Sequence, residues 1–443
     1  MRNKRIFGYG TALLVAIVIH TIPAQQEEVY SFPFSLLTLK NGLRVVLSKD
    51  DSLPLVSIVV AYNVGSVHDT PGKSGLAYLM EHLMNLGSRN VGQRQHISHL
   101  IRIGGEFNAE TQRDKTIFSQ TVPSNHLKLV LWLESDRMNS LSIIPSNVER
   151  AKNLLIEEIQ YLKDSNPYRE SALYFDQLLF SDFAYSHPIV GVDSNEVNRI
   201  TLEDVARFYS TYYTPSNSVL SIAGNIDLER TTKLVRKYFE SIPSGSQIPA
   251  LELETPTQNE NIEETFQEPH ASFPGFYLGY RLASPDSQDY YVMSIIEYAL
   301  IQGNSSRLYK RLVRERIANQ IIGGIDKRGD FAAFKLFVLA TNPVMRNRSR
   351  RAVFSEINKM RLNTLSEREL LRAKNMFKAD YIRQLESSIG KAYFLAESYL
   401  DRNNLEGIFG ELNKYMRVTS SQILTVMNRY FTKGSIVLDI EIR

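Results

Sequence analysis

The sequence predicts an α+β protein of two homologous domains, each a mostly antiparallel sheet with helices packed on one face, the two forming a clamp. Two observations carry this. Strand-like alternation around turn signals gives way, within one half of the chain, to apolar residues at helical spacing. The ending of that half, "ITLEDVARFYSTYYTPSNSVLSIAG", then returns at the C-terminus as "VTSSQILTVMNRYFTKGSIVLDIEI". Setting Thr201 on Thr419 also sets Tyr212 on Tyr430, Val219 on Val437 and Leu220 on Leu438 without a gap.

Taken in order, residues 1–24 read as a signal peptide: Arg2, Lys4 and Arg5, the short apolar run "ALLVAIVI", then a small-residue stop at Ala24. That run falls short of the ~20 residues a span requires. Cleavage is therefore expected over an uncleaved anchor, and with it export to the periplasm or cell envelope. "FPFSLLTLKNGLRVVLSKDDSLPLVSIVVAY" is a strand, a "KNG" turn and further strand. Helical patterns follow at 74–87, 92–103, 124–140 and 146–163. Thr201, with Asp204 three residues on, then caps a helix that leads into a strand. These elements make an N-terminal domain over 30–242. The Pro-, Ser-, Thr- and Glu-rich stretch 243–268 is expected to be a linker, and 269–443 the C-terminal domain.

Composition removes several classes of function. A net charge of +3 over 443 residues leaves no nucleic-acid footprint. With no cysteine, disulfides, thiolate metal ligands and cysteine nucleophiles are all excluded.

Candidate chemistry sits in "GKSGLAYLMEHLMNLGSRN", where Glu81 and His82 fall inside a helical pattern. Two histidines four apart on one helix face can both reach one Zn²⁺. A glutamate beside the second can take a proton from metal-bound water, whose pKa the metal lowers to about 7. That arrangement is the inverted motif H-x-x-E-H. Here the position four before His82 is Tyr78.

The stretch resembles the signature G-x-x-G-L-A-H-x-x-E-H-x-x-x-x-G-T of the pitrilysin and insulinase peptidases, the family of the mitochondrial processing peptidase. The likeness continues through "IGGEFNAETQRDKTIFSQTVP", "VERAKNLLIEEIQYLKDSNP" and "HPIVGVDSNEVNRITLEDVARFY", and into "NSSRLYKRLVRERIANQ" and "RAKNMFKADYIRQLESS" in the second half. It implies that Glu81 is the general base, that His82 and Glu157 are zinc ligands with Glu158 a rival for the latter, and that Tyr78 stands at the missing ligand. A phenol ionises near pH 10, so zinc binding is expected to be weakened. The family's second half carries an arginine and, seven residues later, a tyrosine that reach substrate; Arg314 matches the first, but Ile321 stands at the second. Ser88, after the metal helix, is a mild change. Gly105, Phe107, Asn108 and Ala109 match an edge strand that receives extended peptide through backbone hydrogen bonds.

Other histidines and aromatics have plainer expected roles. His96 and His99 of "HISH" are expected to be a solvated helix pair, with neither these nor His68 the preferred replacement ligand. His187 and His270 are expected in structure or substrate contact, and Tyr161, Phe180 and Tyr209 in core packing. Three functions follow. The first is an impaired or non-catalytic homologue that handles peptides as the partner of an active family subunit, or as a homodimer. The second is an active zinc endopeptidase with a substituted first ligand. The third is a peptide-binding scaffold.

Overall fold

The computed structural model describes residues 30–251, 253 and 260–442; the expected signal peptide lies outside the described residues. No helix among the described residues is long and apolar enough to cross a membrane.

Strands β1 (Ser35–Thr38), β2 (Arg44–Lys49), β3 (Leu55–Tyr62), β4 (Glu106–Thr111), β5 (Thr116–Pro123) and β6 (Ser218–Gly224) form the first sheet, in the order β1-β2-β6-β3-β5-β4. All neighbours are antiparallel except β2 and β6. The second sheet contains β7 (Ile262–Glu268), β8 (Gly275–Leu282), β9 (Gln320–Arg328), β10 (Phe331–Leu339) and β11 (Ile436–Ile442), in the order β7-β11-β8-β10-β9. Its single parallel pair is β11 with β7. Removing β1 from the first sheet leaves the same order and the same parallel pair, so the duplication read in the sequence is a duplication of topology. The helices after Thr201 and Thr419 both begin with the expected reciprocal cap.

Two expectations need correction. The stretch expected to be linker ends early, because Ile262–Glu268 pairs along its whole length with β11 as the first strand of the second sheet. Only Ile262 and Phe266 are apolar there, too sparse an alternation to announce a strand. Tyr161, expected in the core, is instead 68% exposed.

The helices of the first half that matter for the site are α1 (Leu76–Leu83), α2 (Gln95–Arg102), α3 (Leu127–Asn139) and α4 (Pro145–Ser165). They bury Leu79, Met80, Val130, Leu133, Val148 and Leu155 against Val45, Ile58, Val60 and Ile222 of the sheet. The next helix, α5 (Arg169–Leu179), leaves its own half. Its Phe175 and Leu179 pack with Tyr277, Ala333, Leu438 and Ile440 of the second sheet. The second half returns the arrangement: helix Ser388–Arg402 lays Ala392, Leu395 and Ala396 on Val46, Val59, Ala61 and Val219 of the first sheet. Each sheet thus completes its core with a helix from the other half. The exchange is sealed by Asp176 of α5, which accepts from Arg328 at 2.6 Å and from Lys335, both in the second half.

Candidate peptidase site

Helix α1 starts where the chain turns through Gly75 (φ 87°), a left-handed conformation that costs glycine nothing. A Cβ at Gly75 would also lie 2.9 Å from the Val190 carbonyl oxygen. The buried Asp69 carboxylate accepts from the Gly75 and Ala77 amides at 2.7 and 2.9 Å, satisfying two donors that a helix start leaves free. His187 braces Asp69 from behind. Its ring is buried, with Nδ1 2.7 Å from the Phe183 carbonyl oxygen and Nε2 3.4 Å from Asp69. The structural role expected for His187 thus has a definite content. His270 is exposed.

Tyr78 and His82, one turn apart, share a face of α1, their rings 5.3 Å apart and edge-on. Both look toward α4. The Tyr78 hydroxyl donates to Glu158 Oε1 at 2.7 Å, and His82 Nε2 lies 3.6 Å from Glu158 Oε2. The second distance is too long for a hydrogen bond, and His82 Nε2 is buried with no hydrogen-bond partner. Glu157, carried over as the distal ligand, is exposed; the helical turn brings its neighbour Glu158 to this face instead. Glu81 turns the other way, toward the sheet edge, and accepts from the Thr111 hydroxyl of β4 at 2.6 Å.

The electrostatics follow from burial and these contacts. Burial, helped by the bond to Glu158, raises the Tyr78 phenol well above its ordinary value. The nearby His82 ring holds the Glu158 carboxyl below the usual range, against the effect of burial, with Tyr78 adding to it. Burial pushes Glu81 up despite the Thr111 bond.

The donor set does not fit a catalytic zinc, which ordinarily has three protein ligands. His82 and Glu158 are two. The third position holds a neutral phenol that spends its proton on Glu158, and its ionisation is opposed by burial and by that carboxylate. Among the described residues no group of three or more His, Cys, Asp or Glu side chains is gathered as a metal would need.

Strand β4 lies at the sheet edge, paired only to β5, and Gly105 leads into it. Phe107 is 41% exposed, Asn108 is exposed and Ala109 half-buried. Arg314 is exposed in the second half, and no hydrogen bond or ion pair among the described residues joins it to Tyr78, Glu81 or His82. Ile321 is half-buried in β9. "HISH" departs from expectation. His96 is buried 3.5 Å from Glu134, which itself pairs with Arg137, while His99 stays half-exposed. Thr111 and Asp69 were not singled out in the sequence. Thr111 closes the quoted "GGEFNAET", so its place at the end of an edge strand was a usable signal; Asp69 had none.

Comparison with known proteins bears on this arrangement. The model of the insulinase family, peptidase family M16, matches residues 44–184, and that of the peptidase M16 inactive domain matches residues 199–377. The chain belongs to the insulinase family. Zinc protease PqqE of Helicobacter pylori is 27% identical over 97% of this chain and 96% of its own length. The crystal structure of a protease from Helicobacter pylori superposes with a TM-score of 0.87 at 25% identity, covering 93% of this chain and all of that one. A peptidase M16 inactive domain from Pseudomonas fluorescens shares the fold, with a TM-score of 0.81 at 17% identity over 92% of this chain and 98% of that one. Both halves of this insulinase-family chain are matched by the family models, with the site on α1 and the exchanged helix α5 inside residues 44–184.

Proposed function

We propose that this chain is an impaired family member that handles peptides as the partner of an active homologue. One observation carries the reading: the Tyr78 hydroxyl donates to Glu158 where the first histidine of H-x-x-E-H belongs. The phenol satisfies the carboxylate that would otherwise serve a metal, so zinc affinity is weakened and Glu81 has no activated water to act on. Peptide holding is supported by the free edge of β4, which offers backbone groups through Gly105, Phe107, Asn108 and Ala109 to an extended chain of any sequence. Export rests on the N-terminal pattern alone. The test is zinc per chain in signal-free protein dialysed against trace zinc, with peptide cleavage measured beside it. Near-zero zinc and no chelator-sensitive cleavage are expected; cleavage by the chain alone that a chelator stops would end the proposal.

A second reading has its own support. His82 Nε2 is buried without a hydrogen-bond partner and faces Glu158, as a two-ligand remnant should. If the chain is an active endopeptidase with a rearranged site, Glu81→Gln abolishes turnover and leaves the fold intact.

A further inference from the structure

The turn over residues 112–115, which joins β4 to β5, is gripped at three successive residues. Arg113 Nη2 lies 3.5 Å from Asp176, the carboxylate that Arg328 and Lys335 hold from the second sheet. Asp114 accepts from the Gly329 amide of the second half at 2.8 Å and from the Tyr185 hydroxyl at 2.7 Å. Gly329 is in left-handed backbone (φ 52°), and a Cβ there would run into the Tyr185 hydroxyl, so this close approach requires glycine. Lys115 Nζ lies 3.0 Å from Asp401 and 3.4 Å from Glu397, both on helix Ser388–Arg402. The same turn reaches the altered site. Its Gln112 and Arg113 carbonyls accept from the Ser66 and Val67 amides at 3.1 and 2.8 Å, in the 3₁₀ turn just before Asp69. Arg113 Nη1 donates to the His187 carbonyl at 2.7 Å, and the His187 ring braces Asp69. Thr111, the residue before the turn, donates to Glu81.

We propose that this turn is a latch through which the second half fixes edge strand β4 relative to α1, with Lys115, Asp401 and Glu397 as its positioning residues. The inference rests on the peptide-holding reading above, which assigns β4 to peptide. β4 pairs only with β5, and Phe107 and Asn108 on it are exposed. The chain enters it through Gly104, at φ 71° with open space where a Cβ would be. A strand packed so lightly is ordered by what holds its ends, and the latch is the end that is held. The Lys115 side chain is only 12% exposed, so removing its carboxylates strands a largely buried cation, a greater loss than breaking a surface pair. Asp401 is also 2.8 Å from Lys327, which ties the latch to β9. Both carboxylates line a cavity of about 550 Å³ between the halves, so the latch can open without breaching either core.

The experiment is hydrogen–deuterium exchange of the full chain by mass spectrometry, with fluorescence anisotropy of a labelled unfolded peptide measured beside it. Asp401→Asn with Glu397→Gln removes the carboxylates of the latch without altering the first half. Lys115→Met removes its cation, and Lys115→Arg keeps the charge. In the first two variants β4 exchanges about tenfold faster while the interior strands β2, β3 and β6 keep their protection, and the peptide Kd rises about tenfold. Lys115→Arg leaves both as they are in the unaltered chain. Exchange of β4 that does not change, or that changes only together with β2, β3 and β6, overturns the proposal. Faster exchange of β4 with an unaltered peptide Kd overturns it too. If the unaltered chain binds no peptide, the peptide-holding reading fails by itself, and the latch stands or falls on the exchange of β4.

Discussion

Replacing Tyr78 by histidine should create what the present site lacks. The new imidazole would stand four residues before His82 on the face that looks at Glu158, completing three ligands. Without metal, the variant loses the Tyr78–Glu158 bond, a hydrogen bond to a charged group worth about 1.5–3 kcal/mol. The low end applies, because Glu158 keeps 34% of its side chain in solvent. In a cooperative unit of this size that lowers Tm by about 2 °C. With free zinc at a hundred times Kd, binding returns about 2.7 kcal/mol and the Tm loss reverses. The assays are metal content by mass spectrometry and thermal unfolding with and without zinc, for the chain and for Tyr78→His. One zinc per chain in the variant alone, with a zinc-dependent Tm, is the expected pair of results. A variant that still retains no zinc, or an unaltered chain that already holds one equivalent, would refute the argument that the phenol is what closes the site.

The two adjacent glutamates of α4 should separate cleanly. Glu158→Gln costs about 1–2 kcal/mol in chemical denaturation, whereas the exposed Glu157→Gln stays within about 0.5 kcal/mol. Leu395→Ala, in the helix lent to the first sheet, costs about 2–5 kcal/mol; the loss should appear in the fluorescence transition of Trp132, the single tryptophan, although that residue lies in the other half. Burial lowers the His68 pKa from 6.5 to about 4. The folded state then binds fewer protons than the unfolded chain between those values, so the stability His68 contributes is full above pH 6.5 and is lost as the pH falls toward 4. The loss amounts to at most about 3 kcal/mol, and His68→Phe flattens that part of the pH profile measured by urea unfolding.

Much of the fold was legible because it is written locally. The Thr201 and Thr419 caps, the "KNG" turn and the 3.6-residue periodicity of α1 to α4 each depend on residues a few positions apart, and all appear in the structure. The repeat of helix and strand was enough to predict two α+β domains. The replacement of the motif histidine by Tyr78 was equally plain, since a motif is a statement about spacing on one helix.

What the sequence left open depends on contacts between distant segments. Glu157 and Glu158 differ by one helical step, and only the packing of α4 on α1 decides that Glu158 reaches Tyr78 and His82. His96 was read as solvated because polar residues usually are, yet the charge of Glu134 and the covering helices make its burial tolerable. β7 carries too few apolar residues to announce itself, and exists because β11 supplies a full ladder of hydrogen bonds beside it. The exchange of α5 and helix Ser388–Arg402 has no local signature at all: an amphipathic helix records that it must bury a face, while which sheet receives that face is settled by the chain's path through space. By itself, then, the sequence determined the architecture, the family and the lost histidine. Tertiary structure decided which carboxylate faces the altered helix and how two halves become one folding unit, because both are questions of which surfaces meet.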